Sequence, residues 1–512
     1  MPENLGSFKV FAQGGLNTSR DVLSQGETAP GSAITLINYE PAVTGGYRKI
    51  NGFSNDYGTV TGTGNVLGVA VVDGINDGIL AARKPSSGNN YLHKWNNSSS
   101  AWDAVTTSGS PTMVGVTKVR FTKFNFGTQK VVMTDGINPA ATYDGSTYTQ
   151  ITHASAPTDP KFSAIFQNHL FLAGDPAEKT NLYFSAPLAE TDFSSGNGAG
   201  VINVGFPVVA IKTFRDQLYI FGTTHIKRLE GTTAANFVLK EVTDDLGCLA
   251  SDSVIEIGGD LLFLSQDGLR PISGTAKIGD VNLETVSKNI QSIFTDIVFN
   301  IDLEGLNAVV IRSKTQFRYF FAAANSQGIV GGFRQTPNGL QFEYAQLLGI
   351  SATASDSGYI GQNEFVIHGD STGKVHRQEQ GNDFDGTDIL SVYQTPFLYM
   401  QDPEQRKIFY TVATYLRSEG DNEIVMSVVY DYEDPNSLSP TNFTLSTEGA
   451  AAYYNEAAYN STAIFDGNPS PVQRTNISGS GKSVSYKYVT NDSNASHSIQ
   501  GIVVTFGVGD RL

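Results

Sequence analysis

KFSAIFQNHLFLAG, residues 161–174, holds two short runs of alternating and continuous apolar residues split by a polar turn at Gln167 to His169. That spacing predicts an antiparallel hairpin with a short turn of about two to four residues. The same arrangement returns along the chain. VVAIKTFRDQLYIFG (208–222) and SVIEIGGDLLFLSQDG (253–268) repeat it downstream, and VVDGINDGILAAR (71–83) and VRFTKFNFGTQKVVMTDG (119–136) precede it. VVIRSKTQFRYFFAAA (309–324) and SGYIGQNEFVIHGDSTG (357–373) complete the series.

One apolar residue early in each second strand gives Leu80, Val131, Leu170, Leu218, Leu261, Phe317 and Phe365, at intervals of 51, 39, 48, 43, 56 and 48 residues. Each interval carries enough chain for about four short strands, the period of a β-propeller. A small antiparallel blade leaves apolar surface on both faces, and radial stacking against two neighbours covers both. The expected fold is therefore all-β, a β-propeller of about seven blades. A string of β-sandwich domains is the alternative.

The 56-residue interval contains ETVSKNIQSIFTDIVFN (284–300), where Val286, Ile290, Ile293, Phe294 and Ile297 fall on one helical face. A short helix near 286–298 is expected there, inserted between blades and packed on the ring, or else against a neighbouring subunit. The expected divisions are an irregular, glycine-rich N-terminal arm over 1–60, the propeller over 61–389 and a β-sandwich-like domain over 390–512. The last rests on RKIFYTVATYLRSEGDNEIVMSVVYDYEDPN (406–436), which reads as two long strands about a turn, with SVSYKYV (483–489) and SIQGIVVTFGVG (498–509) following.

Composition agrees with many short strands and tight turns. The 512 residues are only 16% charged and include 53 glycines. Fifty acidic against 34 basic residues leave a net charge of −16, which opposes any role that depends on gripping phosphates by Lys and Arg. Cys248 is the single cysteine, so no internal disulfide can form, which suits assembly in a reducing cytoplasm. No uninterrupted apolar run is long enough for a membrane span, and the N-terminus lacks the pattern of a secretion signal.

Motifs that could carry chemistry resolve into turns. NDFDGTD (382–388) is the densest acidic stretch, but an EF-hand loop beginning at Asp383 would need glycine where Asp388 stands. A hydrogen-bonded turn is the main reading and another type of calcium loop the lesser one. YDGSTYTQ (143–150) departs from the Asp-box of sialidase propellers. GSGKS (479–483) imitates the end of a P-loop but lacks the upstream glycine and the helix that would follow. The seven histidines show no spacing that would set two imidazoles on one metal. No catalytic, cofactor-binding or metal site is expected, and no enzyme.

The segment GGLNTSRDVLSQGETAPGSAITLINYEPAVTGGYRKINGF (14–53) resembles the start of tail proteins of tailed bacteriophages. Its marks are Gly14, Gly15, Asn17, Arg20 and Asp21, then Asn38 to Pro41, then Gly45 to Phe53. GKVHRQEQGNDFDGTDI (373–389) and the strands around RKIFYTVATYLR (406–417) are also similar to that group. Ser19 makes the first segment one residue longer than the family form. The chain is most similar to the nozzle, or packaged-DNA stabilisation, family of short-tailed phages. That resemblance implies a structural virion protein of the tail, assembled in the host cytoplasm, without catalysis or cofactor. It further implies a homohexameric ring that meets the adaptor and portal proteins and the tail fibres or spikes. Genomic duplex DNA would be retained and then conducted through the ring without specific binding. The expected subunit-contact arm comprises Gly14, Gly15, Asn17, Arg20, Asp21, Tyr47 and Arg48. A tail-fibre or receptor-binding propeller for host glycans is the alternative function, and a glycosidase the lesser one.

Overall fold

The computed structural model describes residues 5–275, 285–300, 303–321, 327–336, 339–400, 402–434, 437, 439–447 and 471–508. Among these, every hairpin read from the sequence forms. Three of the turns are two-residue connections with both residues at positive φ: Gln167 and Asn168 (47° and 63°), Arg215 and Asp216 (48° and 56°), and Gly258 and Gly259 (62° and 75°). This left-handed pair matches the twist of the flanking strands.

The hairpins are extended into six small antiparallel sheets. Their first strands are Thr63–Val71, Arg120–Asn125, Phe162–Phe166, Ala210–Phe214, Ile255–Ile257 and Ala354–Ile360. Each sheet has four strands except the fifth, which has three. The chain is thus mainly β, a propeller of about six self-contained blades with larger sheets added. The expectation of about seven separate blades departs from the structure at one hairpin. Asn307–Ile311 with Gln316–Phe321 continues through Gln327–Thr336 and Gly339–Leu348 into a nine-stranded sheet instead of ending as a separate blade.

Period-two alternation explains why the second strands are almost continuously apolar. In Gln217–Phe221, Leu218 and Ile220 enter the core shared with the preceding blade, whereas Tyr219 and Phe221 enter the core shared with the next. In Gln129–Thr134, Val131 and Met133 face one neighbour and Val132 the other. Trp95 and Trp102 of the first blade share a core with Ile367 and Val375 of the last, so the stacking closes on itself.

The first 60 residues are not an irregular arm throughout, because they supply strands to the sheets outside the propeller. Leu5–Phe11 pairs with His497–Val508, and so does Tyr47–Lys49. Thr35–Ile37 lies between Gly339–Leu348 and Ile389–Gln394 in the nine-stranded sheet. Between it and Tyr39–Pro41, which belongs to the seven-stranded sheet, stands Asn38 at φ 52°. Asparagine tolerates that left-handed conformation, and here it passes the chain from one sheet to the other. Its side chain fixes the corner by donating to the carbonyls of Leu348 (2.9 Å) and Leu390 (2.8 Å) and accepting from the Leu348 amide (2.9 Å).

The described residues of 390–512 likewise do not form sheets of their own. Lys407–Ser418 and His497–Val508 sit in the seven-stranded sheet with the N-terminal strands. Glu423–Tyr430 and Val484–Asp492 sit in the nine-stranded sheet with the hairpins of 307–348. The two sheets meet through a common core in which Phe409 stacks on Tyr430 at 5.3 Å and Thr414 Oγ1 lies 3.0 Å from the Tyr488 hydroxyl.

The expected helix is present as a 3-10 turn, Lys288–Ile290, followed by α-helix Gln291–Asn300. Ile290, Phe294 and Ile297 are buried in the chain's own largest core. The face read from periodicity is therefore covered within the chain.

Candidate functional site

Three places gather polar or charged groups: the junction of the N-terminal segment with the outer sheets, the closure of the last blade, and the propeller axis.

At the junction, Glu40 is almost wholly buried and meets Lys314 (2.7 Å), Arg48 (3.2 Å) and Arg318 (3.6 Å). Glu379 pairs with both Lys314 and Arg318, and Arg48 reaches Glu419 at 2.6 Å. Three cations thus balance three carboxylates drawn from four distant stretches of sequence. Burial alone would raise the Glu379 carboxyl, but Arg318 and Lys314 outweigh it and lower the pKa to about 2. The guanidinium of Arg318 is fully buried and also donates to Gln378 Oε1 at 2.8 Å. Such a network is costly to break from one side, since the remaining charges stay desolvated.

The residues expected to form a subunit-contact arm make the following contacts within their own chain. The amide of Gly14 donates to Glu343 Oε1 (2.6 Å), and that of Gly15 to the Tyr47 hydroxyl (2.9 Å). A Cβ on Gly15 would stand 2.7 Å from the Tyr344 amide nitrogen, so only glycine fits that approach. Asn17 is buried and its Oδ1 accepts from the amides of Ser19 and Arg20. Asp21 is the N-cap of helix Val22–Thr28, accepting from the Ser24 amide at 2.8 Å. Tyr47 is completely buried and donates to the Gly31 carbonyl. Arg48 belongs to the ionic junction. Arg20 and Asp21 alone of the seven are exposed.

The last blade takes its fourth strand from the N-terminal segment, with Phe53 and Ser54 paired to Gln378 and Arg377. Gly52 admits this strand. A Cβ there would fall 1.7 Å from the Asp383 carbonyl oxygen. Phe53 packs against Phe384 (5.0 Å, stacked), His368 (4.8 Å) and His376 (4.9 Å). Burial and the neighbouring His376 push the His368 pKa well below its ordinary range. The closing strand was not legible beforehand, because its two residues are too few to show periodicity.

At the axis, the first strands surround a cavity of about 420 Å³. It is crossed by an ion pair. Lys118, preceding the second blade, reaches Asp252, preceding the fifth, at 3.0 Å and donates to the Leu306 carbonyl at 2.7 Å. Arg120 adds a bond to the same carboxylate at 2.7 Å. Burial would raise Asp252, but the two cations prevail and hold it below the usual carboxylate range. Hydroxyls stitch neighbouring first strands together: Thr122 to the Ser163 carbonyl (3.1 Å), Thr213 to Ile165 (2.6 Å) and Ser357 to Val310 (2.7 Å). An axis bridged in this way is no conduit for duplex DNA, whose major groove alone is about 12 Å wide.

The motifs weighed in the sequence are turns in the structure. Asp383 Oδ1 caps the Gly386 amide, and Asp385 pairs with Lys374 at 3.0 Å. Asp144 Oδ1 accepts from the amides of Ser146 and Thr147. In GSGKS the amides of Lys482 and Ser483 donate to Asp431 Oδ1 (2.8 and 2.9 Å), so a carboxylate of the same chain occupies them. Among the described residues no group of three His, Cys, Asp or Glu side chains converges as a metal would require, and no helix is long and apolar enough to cross a membrane. Cys248 is buried, its thiol pushed up to about 11 by desolvation.

No protein-family model and no curated protein matches this chain. Solved structures similar to it include a chain of the mitotic checkpoint complex (10% identity, 63% of this chain and 92% of that one, TM-score 0.38). Hsv2 of Kluyveromyces lactis is another (9%, 56% and 100%, TM-score 0.31), as is an ancestral GH74 enzyme (11%, 73% and 53%, TM-score 0.38). Likenesses this distant carry no functional conclusion.

Proposed function

We propose that the chain is a structural virion protein of a short-tailed phage. It forms the tail nozzle, a ring that retains packaged DNA and conducts it at infection. The observation that carries this reading is the placing of the segment that resembles phage tail proteins. Asn38, Gly45 to Tyr47 and Gly52 to Phe53 are the corner, hairpin and closing strand by which residues 14–53 tie the propeller to the outer sheets. In this reading their pattern identifies a scaffold and not a chemistry.

We count Asn307–Leu348 as a seventh blade, because the residues of its first strand line the axial cavity with those of the other six. The DNA channel is built between copies, since the propeller axis is crossed by Lys118 and Asp252. A head-to-tail contact that closes on itself gives such a ring, and exposed Arg20 and Asp21 belong to the surface that meets the next copy. With a net charge of −16, the ring repels phosphate and holds DNA sterically. Adaptor and portal proteins lie above it and fibres or spikes beside it. The chain is no enzyme in this reading.

A virus lacking the gene tests the proposal. Heads that fill and then lose their DNA are expected, and stably filled heads would contradict it.

A further inference from the structure

The four cations and two carboxylates that line the axial cavity, Lys118, Arg120, Lys123 and Lys212 against Asp252 and Asp356, leave two positive charges in excess. In a chain of net charge −16 this is a local reversal of sign. The charges are arranged in two levels. At the floor, Asp252 is shared by Lys118 and Arg120. Toward the mouth, Lys123 pairs with Asp356 at 2.9 Å. Side-chain exposure rises along residues 118–123 from 8% at Lys118 through 14% at Arg120 to 34% at Lys123, which places the opening at the Lys123 level.

Lys212, on the strand Ala210–Phe214, also lines the cavity and keeps part of its surface accessible to solvent. Its ammonium has no ion-pair or hydrogen-bond partner among the described residues. Enclosure by the surrounding strands lowers its pKa; Asp356 and Glu256 oppose this, and Lys123 and Arg312 add to it more weakly. An anion beside it would reverse that penalty.

We propose that the axial cavity is a binding site for a small polyanion, a ligand bearing phosphate or carboxylate groups, held at its mouth by Lys212 and Lys123. The volume suits it: about 420 Å³ lies within the range of small-ligand sites, roughly 300–1,000 Å³. Duplex DNA is too wide to enter, so the ligand is a small molecule.

Calorimetric titration of the full chain with pyrophosphate and, separately, with citrate, at constant ionic strength, tests this. Saturable one-to-one binding is expected, weakened at least about tenfold by Lys212→Ala and retained by Lys212→Arg. Lys84→Ala, which removes an exposed lysine from the end of a second strand, leaves it unchanged. Preference for pyrophosphate assigns a phosphate ligand and preference for citrate a carboxylate one. Because Lys212 has no partner to lose, the alanine variant keeps the wild-type melting temperature, and binding is read on folded protein. Absence of saturation with both anions up to about 10 mM would overturn the proposal. So would equal binding by Lys212→Ala, or equal loss in Lys84→Ala.

Discussion

Lys118 and Asp252, separated by 134 residues in the chain, meet at 3.0 Å across the propeller axis. The pair ties the second blade to the fifth within the axial cavity. Asp252→Ala leaves Lys118 and Arg120 desolvated without their shared carboxylate, and a loss of about 3 kcal/mol is expected. Chemical denaturation of the variant against wild type measures it.

Blade closure depends on a glycine. Gly52→Ala sets a methyl 1.7 Å from the Asp383 carbonyl oxygen, so the strand carrying Phe53 must move away from Gln378. A loss of about 3 kcal/mol or more is expected, with early protease cleavage near residues 50–60. Phe53→Ala removes the ring between Phe384 and His368 at a cost of about 3 to 5 kcal/mol.

Acid weakens the outer sheets. His497 is buried, with Nε2 2.9 Å from the Tyr39 hydroxyl and Nδ1 3.1 Å from Asn422 Oδ1. Desolvation, with Lys49 and Arg48 nearby, pushes its pKa from 6.5 to about 3. The folded imidazole stays neutral where the unfolded one is already protonated. Its contribution is therefore complete above pH 6.5 and is lost progressively toward pH 3. About 2 kcal/mol should disappear between pH 7.5 and pH 5, read as a fall in urea midpoint that His497→Gln flattens. Glu379, held at about 2 by Arg318 and Lys314 despite its burial, adds a second decline below its ordinary value of 4.5.

The exposed end of the N-terminal segment tests assembly separately from folding. The Arg20 guanidinium makes one hydrogen bond among the described residues, to Thr28 Oγ1 at 3.2 Å. Arg20→Glu should leave the unfolding free energy within about 0.5 kcal/mol of wild type while shifting sedimentation from ring to monomer.

Much of the propeller was legible in the sequence because two physical signals repeat. Short polar turns such as that at Gln167 to His169 recur, and strands such as Gln217–Phe221 are apolar on both faces. The helix over Gln291–Asn300 was legible from its apolar face. The outer sheets were not. Their strands pair across the whole chain, as when Leu5–Phe11 meets His497–Val508, and local periodicity carries no record of such partners. Gly14, Gly15 and Tyr47 stood out as a pattern, yet that pattern could not tell that Tyr47 would be buried as a strut beneath Gly15 and Gly31. The axial cavity escaped notice because Lys118, Arg120, Lys123, Lys212, Asp252 and Asp356 come from four blades, and only closure brings them together.

On the proposed function, this propeller is the repeating unit of a closed ring. Negative-stain imaging of the purified full-length protein, with class averages computed without imposed symmetry, tests it most directly. Closed six-fold rings with an open centre between subunits are predicted. Isolated propellers, or three-fold particles, at every concentration tested would contradict it.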